Sequence, residues 1–386
     1  MKLLLSFLLL IPNLCLAQAF TFNQGAPTIK KYYEEIPYEY IKGKIYLNGE
    51  IGGKKLRFLF DTGAPVAVSK ELAAELGAKE MQKVKVTDAH HRTDSTMVVI
   101  LNEFKLGNLS FDGIPAITVF PEFYKCIKID GVIGSNMLRN SIVQIDSKRK
   151  LLIITDQKQK LALIKKNGAD MITKGNMQSD PKIQAYVKQR VHAFATFDSG
   201  DSGFLRLNDW LVGQLKPYQV IDSLQQGFGS GGLGVFGAQE GTIKTLHGIS
   251  ALSIGSTKFL NLKASSSKTE NPAFGCKLIE YGILTLDYIN NKFYFDGFKA
   301  EVDLAQKRWG AYYGFIDDKI VIAEVWDKDS GIEQGTQILR IDGVDVSRVS
   351  LCDYINGTDY LEGKETAELV LKLMDGTEKR VTITKK

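Results

Sequence analysis

Alternation of apolar and polar positions is the dominant pattern along the chain, and it predicts a protein built mainly of β-strands. Residues 44–61 and 182–198 each form two alternating runs joined by a short polar or glycine-containing turn. Short amphipathic segments at Ser69–Gly77 and Leu207–Leu215 follow these runs and predict helices. We therefore expect a mainly β fold with a few short helices.

Two stretches of this pattern recur in the same order. Each of the paired runs ends on an aromatic residue followed by Asp, a hydroxyl residue and Gly. Further along, Val132–Ile154 and Ala273–Phe295 share a second pattern of two apolar residues, Gly, a short helix and a strand pair. Because two anchor points repeat in order, the sequence predicts two structurally equivalent halves.

The repeated turns, Asp61–Gly63 and Asp198–Gly200, suit a paired carboxylate chemistry. In each turn the glycine permits a close backbone approach, and the Thr or Ser hydroxyl can bond across to the other copy. Two carboxylates a few ångströms apart cannot both ionise comfortably, so they share a proton. One then acts as a base on water while the protonated one polarises a carbonyl.

Together with the apolar-apolar-Gly elements Val132–Gly134 and Ala273–Gly275, these turns resemble the aspartic peptidases of the pepsin and retropepsin type. The resemblance spans roughly Tyr40 to Phe298 and implies two pseudo-symmetric acid-protease lobes of closed β-barrel type. It implies a peptide or protein substrate, and neither a cofactor nor a metal. Its implied catalytic residues are Asp61 and Asp198, its dyad-supporting residues are Thr62, Gly63, Ser199, Gly200 and Asp201, and its loops behind the dyad contain Gly134 and Gly275.

Two hairpins are the expected flaps over the cleft. Val84–Leu109 alternates as a β-hairpin with a polar tip at His90–Asp94, and Gly227–Gly241 is its glycine-rich, mobile counterpart. One departure from the family pattern is Asp201, which stands where the first copy has Ala64. A third carboxylate there either alters the shared proton or marks a half that keeps its shape without optimal chemistry.

From about Val302 the pattern changes to aromatic-glycine turns and β-branched strands, closed by a hairpin around Asp375 and Gly376. The segment Tyr313, Gly314, Phe315 and Ile316, with a helix near Leu351–Ile355, resembles a bacterial PDZ domain. That resemblance implies that a peptide C-terminus binds as an added strand beside this segment. We expect a signal peptide at residues 1–19, lobes at 20–158 and 159–301, and this small PDZ-like β+α domain at 302–386.

The N-terminal composition and the net charge predict the location of the protein and exclude some classes of binding partner. The first 19 residues have the basic start, apolar core and small-residue end of a secretory signal, so we expect an exported protein in the periplasm or outside the cell. A formal charge of +5 on 386 residues is too mild to imply nucleic acid, and no later segment predicts an integral membrane helix. Fusion of two lobes predicts a monomer.

The cysteines and histidines match no metal-site spacing. Once the signal is removed, Cys126, Cys276 and Cys352 remain, and we expect three free buried thiols rather than one bridge. The favoured function is therefore an aspartic endopeptidase with PDZ-assisted substrate binding. The alternative is a weakly active or inactive protease-like protein that binds peptides, and Asp201 is its main support.

Overall fold

The computed structural model describes residues 20–88, 91–173, 175–189, 191–230, 233–238, 240–268 and 271–386. The predicted signal peptide and parts of both predicted flap tips lie outside the described residues. The fold is mainly β, as the alternating pattern predicts, and its strand network is closed. No helix among the described residues is long and apolar enough to cross a membrane.

The first half of the chain forms one lobe, in which β4 shows how the pattern makes the core. Phe58 and Phe60 point to one side of this strand and are fully buried, while Leu59 packs into a second cluster on the other side. The elements of this lobe are β1 Ala26–Pro27, β2 Tyr33–Ile41, β3 Lys44–Ile51, β4 Lys54–Asp61, β5 Ala67–Val68, α1 Lys70–Glu75, β6 Lys79–Thr87, β7 Thr93–Leu101, β8 Phe104–Leu106, β9 Leu109–Asp112, β10 Ile114–Ile117, α2 Glu122–Cys126, β11 Gly131–Gly134, α3 Ser135–Leu138, β12 Ile142–Asp146 and β13 Leu151–Thr155.

The second lobe repeats the order of a strand pair ending in Asp, a short helix, a hairpin and a closing strand pair. Helix α1 begins at a Ser69 cap, and its counterpart α4 begins at an Asn208 cap, because each side chain accepts a bond from an amide three residues on. The elements of this lobe are β14 Gly168–Ile172, β15 Lys182–Val187, β16 Val191–Asp198, β17 Leu205–Asn208, α4 Asp209–Leu215, β18 Asp222–Gly229, β19 Leu233–Gly234, β20 Gly237–Ala238, β21 Thr242–Ile254, β22 Thr257–Ser267, β23 Ala273–Gly275, β24 Gly282–Asp287, β25 Lys292–Gly297 and β26 Glu301–Asp303, with 3₁₀ turns at Lys158–Lys160, Lys165–Asn167, Lys216–Tyr218 and Cys276–Tyr281.

One antiparallel sheet joins the two lobes. Its strand order is β2-β13-β12-β24-β25-β14, so three strands come from each lobe. The lobes meet where β12 pairs with β24, from Ile142 opposite Asp287 to Ile145 opposite Leu284. Both lobes share one hydrophobic cluster, which fixes their relative position.

The C-terminal domain, residues 309–386, has a hydrophobic core of its own between Trp309 and Ile383. Its predicted closing hairpin is present as the last two strands. The elements are β27 Ala311–Ile316, β28 Lys319–Val325, a 3₁₀ turn at Lys328–Ser330, β29 Gln337–Ile341, β30 Val344–Asp345, α5 Leu351–Asn356, β31 Thr366–Lys372 and β32 Glu378–Thr384.

This domain contacts both lobes. Its strand β28 pairs with β18 of lobe two, and the Glu324 carboxylate lies 2.6 Å from the buried Lys244 ammonium. Trp326 packs where a Cβ on Gly227 would come within 2.7 Å of its ring, so only glycine fits at that position without a shift. The C-terminal domain is therefore part of one sheet with lobe two.

On the side of lobe one, a disulfide joins Cys126 of α2 to Cys352 of α5, and the Asn356 amide donates to the Cys126 carbonyl. The expectation of three free thiols is therefore wrong for two of them, while Cys276 is free and buried. The error has a physical reason: the two cysteines are 226 positions apart, and only the docking of α5 on α2 brings them together.

Candidate active site

Two strand ends place the repeated Asp residues at the centre of the molecule. In lobe one, β4 runs parallel to β11, with Asp61 opposite Gly134; in lobe two, β16 runs parallel to β23, with Asp198 opposite Gly275. A Cβ on either glycine would lie 2.3 Å from a carbonyl oxygen of the neighbouring turn. The two glycines therefore allow each loop to pass directly behind an Asp turn.

Four hydrogen bonds cross between the two turns. The Thr62 hydroxyl donates to the Phe197 carbonyl at 2.5 Å and accepts from the Ser199 amide at 3.0 Å. In the symmetric arrangement, the Ser199 hydroxyl donates to the Phe60 carbonyl at 2.9 Å and accepts from the Thr62 amide at 3.0 Å. Both side chains are fully buried, so these bonds hold the two turns in a fixed geometry.

The two carboxyl groups face each other across this network. Asp61 and Asp198 belong to turns so close that a Cβ on Gly200 would lie 2.4 Å from the Asp61 carboxyl. Each also accepts a backbone amide of its own turn, Asp61 from Gly63 at 2.9 Å and Asp198 from Gly200 at 3.0 Å. A Cβ on Gly63 would come within 2.7 Å of the Asp198 carboxyl, which shows how closely the two turns approach.

The surroundings favour one shared proton. Burial raises the pKa of Asp61, and the nearby Lys44 ammonium opposes this rise. Burial, followed by the charges of Asp61 and Asp201, raises the pKa of Asp198 to about 7. Two carboxyl groups this close share one proton, and the pair keeps it to higher pH than an isolated carboxyl does.

Asp201 lies beside the dyad but does not point into solvent. Its carboxylate is 2.8 Å from an Arg206 nitrogen and accepts the Gly203 amide at 2.7 Å. A second Arg206 nitrogen is 3.8 Å from the Asp198 carboxyl. The Asp201 carboxylate therefore belongs to an ion pair with Arg206. The sequence did not identify this arginine.

The sequence also gave no sign of two side chains that bond the carbonyls of the Asp turns. The Gln178 amide, from the loop between β14 and β15, donates to the Gly63 carbonyl at 2.9 Å. The Lys44 ammonium, at the start of β3, donates to the Gly200 carbonyl. Gln178 lies in no repeated motif, and Lys44 opens the first repeated run without a pattern that marks it as a partner of the other turn.

The two predicted flap regions meet each other. Lobe one provides the hairpin β6–β7, and the Arg92 guanidinium at its tip donates to the Phe236 carbonyl of lobe two at 3.1 Å. The Asp88 carboxylate accepts the Phe236 amide at 3.3 Å. His90 and parts of the Gly227–Gly241 segment lie outside the described residues. The described contacts join one flap tip to the other.

The four residues predicted to bind peptide ends lie on β27. The Tyr313 hydroxyl donates to Asp359 and accepts the Tyr360 amide, and the Phe315 ring stacks on Tyr354 of α5 with centroids 5.7 Å apart. Gly314 faces Ala323 so closely that an added Cβ would lie 2.8 Å from its methyl group. Ile316 ends the strand. Aromatic rings therefore line the space between β27 and α5.

Comparisons with known proteins agree with the geometry of the first lobe. Residues 47–137 match the aspartyl protease family model. This range includes Asp61 and Gly134 but not the second lobe. Among the described residues, no group of three His, Cys, Asp or Glu side chains is arranged to hold a metal ion.

The chain is also similar to three solved structures. A retropepsin-like aspartic protease from Rickettsia conorii is 20% identical, with a TM-score of 0.24, over 34% of this chain and 94% of its own. Basic 7S globulin from soybean is 8% identical, with a TM-score of 0.40, over 69% of this chain and 95% of its own. Conglutin gamma, a basic 7S globulin from lupine seeds, is 9% identical, with a TM-score of 0.39 and the same coverages. No curated protein matches the chain.

Proposed function

We propose that the protein is an aspartic endopeptidase whose two lobes each supply one catalytic carboxyl group. The observation that carries this proposal is the close approach of the Asp61 and Asp198 carboxyl groups, whose turns are held together by the four bonds of Thr62 and Ser199. Two carboxyls sharing one proton can act together as a base and an acid. The aspartyl protease match over residues 47–137 supports the same chemistry.

In the proposed reaction, the ionised carboxyl of the dyad takes a proton from a water molecule as the water oxygen bonds to the peptide carbonyl carbon. The protonated carboxyl hydrogen-bonds the carbonyl oxygen and gives it its proton, so a neutral gem-diol intermediate forms. Collapse of this intermediate re-forms the carbonyl, breaks the C–N bond and delivers a proton to the leaving nitrogen. The dyad ends with one proton, as it began.

We further propose that the C-terminal domain binds peptide ends as an added strand on β27. Among the described residues β27 pairs only with β28, so its other edge is available for main-chain hydrogen bonds. The rings of Phe315 and Tyr354 offer apolar surface beside this edge. Export through the signal peptide and a monomeric state complete the proposal, and an interlobe sheet built from one chain supports the latter.

A second candidate function is peptide binding without cleavage. The bonds from Gln178 to the Gly63 carbonyl and from Lys44 to the Gly200 carbonyl favour it, because these carbonyls flank the dyad and would otherwise accept substrate amides. A substrate that must displace both side chains is cleaved slowly or only held.

The deciding experiment compares Asp61→Asn and Asp198→Asn with the wild-type protein on an unfolded protein substrate. We expect each variant to lose turnover at least 1000-fold, roughly the scale of removing one member of a catalytic unit. Asp222→Asn, an exposed position on β18, is the matched control and should cleave normally. Wild-type protein that binds the substrate without turnover would favour the second candidate, and an Asn variant with full turnover would refute the dyad.

A further inference from the structure

Lobe two carries a pair of charged residues where lobe one carries two alanines. Ala64 and Asp201 each follow the turn glycine directly. Ala67 pairs with Val132 across the sheet, and Arg206 pairs with Ala273, the equivalent position before the second glycine element. The register of the sheets therefore makes Asp201 and Arg206 the counterparts of Ala64 and Ala67.

The contacts of Arg206 tie three segments to the dyad. Its guanidinium lies 2.8 Å from Asp201 and 3.8 Å from Asp198, and its Nε donates to the Asn271 carbonyl at 3.0 Å. The backbone of Asp201 in turn accepts the Cys276 amide at 2.6 Å, at the start of the loop behind the dyad. Only about a fifth of the Arg206, Asp198 and Asp201 side chains is exposed, so solvent screens these charges weakly.

The two lobes differ at these positions because different elements cover the equivalent face of the sheet in each lobe. In lobe one, α2 lies between β10 and β11, and its Tyr124 packs in one cluster with Ala67 and Val132. In lobe two, five residues separate β22, which ends at Ser267, from β23, which begins at Ala273, whereas 13 residues separate β10 from β11. The ion pair thus stands where lobe one has apolar packing.

We propose that Arg206 is a positioning residue of the dyad. Together with Asp201 it fixes the Asp198 turn, and its positive charge limits the effect of the Asp201 charge on the proton that Asp61 and Asp198 share. This inference rests on the proposed function for its role in turnover. Its electrostatic part concerns the two carboxyl groups alone and can be tested without turnover.

The charges that face the dyad set the expected signs. Lys44 and Arg206 are cations that favour ionisation of the pair, and Asp201 is an anion that opposes it. The Tyr124 hydroxyl and the Cys276 thiol also lie within electrostatic reach, but burial raises the pKa of both, so they stay neutral. Removal of Arg206 alone therefore leaves Asp201 uncompensated beside Asp198.

The test is a set of three variants whose carboxyl titration is followed by ¹³C NMR, together with the pH-rate profile. Arg206→Met should raise the upper titration midpoint of the dyad by about one pH unit, the lower end of the usual effect of a close charge. Asp201→Ala should lower it by a similar amount, because Arg206 then acts alone. The double variant, which copies the alanines of lobe one, should lie within about half a unit of wild type.

Arg206→Lys is the conservative control and should keep the midpoint near that of wild type while losing the bond to Asn271. If Arg206→Met does not fold, the same comparison is made with Arg206→Lys and Asp201→Asn. A lowered midpoint in Asp201→Asn, with an unchanged midpoint in Arg206→Lys, then supports the proposed joint action of Arg206 and Asp201. Unchanged midpoints in Arg206→Met and Asp201→Ala, or in Asp201→Asn where it replaces them, would overturn the inference. Absence of turnover in the wild-type protein would refute the proposed function and leave the titration result standing.

Discussion

Replacement of Thr62 by valine tests whether the hydrogen bonds between the turns stabilise the assembled dyad. Valine keeps the branched shape of threonine but removes the hydroxyl, which leaves the Ser199 amide and the Phe197 carbonyl without that partner. A buried backbone group that loses its partner costs about 1–3 kcal/mol. Two such groups predict that Thr62→Val lowers the free energy of unfolding by roughly 2–6 kcal/mol.

The matched control is Thr62→Ser, which keeps the hydroxyl and loses one methyl group. Because Thr62 is fully buried, this loss is expected to cost about 1 kcal/mol. Urea unfolding followed by tryptophan fluorescence gives both values from the shift of the midpoint at constant slope. Equal stability of the valine and serine variants would refute the reasoning. Ser199→Ala removes the symmetric pair of bonds, so we expect it to fall near Thr62→Val.

Further predictions follow from charge, covalent structure and domain contact. Because the folded pKa of Asp198 is raised, the native state holds more protons than the unfolded state, so stability should fall as pH rises from about 4 to 7. Asp198→Asn should remove part of this slope, as measured by thermal unfolding across that range, and should be more stable than wild type at pH 7. Replacing both Cys126 and Cys352 by serine should lower the free energy of unfolding by up to about 5 kcal/mol, the chain-entropy value for a loop of this length, and an unchanged urea midpoint would contradict it. Deletion of residues 306–386 should reduce kcat/KM on short peptides as well as on substrates with free apolar C-termini, because lobe two loses the strand that pairs with β18. A reduced kcat/KM only on substrates with free apolar C-termini would instead show that the domain serves substrate binding alone.

The last expectation differs from what the sequence favours. A PDZ-like resemblance implies a separable module whose removal spares short peptides. The structure changes this view through Gly227 and Glu324, which join the module to lobe two by close packing and a buried ion pair. No local pattern reveals such a contact, because it depends on the pairing of β18 with β28.

The dyad turns, by contrast, were predictable from the sequence because their chemistry is local. The order strand, Asp, hydroxyl residue and Gly is complete within Phe60–Gly63 and within Phe197–Gly200, and the repeat shows that the two copies belong together. The contribution of Arg206 was hidden, since it depends on the register between β17 and β23. The two Asp turns were therefore found from local motifs, while contacts between distant segments were not.

The bridge between Cys126 and Cys352 has a consequence for the biosynthesis of the chain. Cys126 emerges from the ribosome 226 residues before its partner, and Cys276 is made in between. Of the two thiols made after Cys126, the first that it can meet is therefore the wrong one. Once lobe two has folded, Cys276 is fully buried and burial raises its thiol pKa, so it is no longer a reactive thiolate. Folding of lobe two before oxidation would thus prevent a disulfide between Cys126 and Cys276.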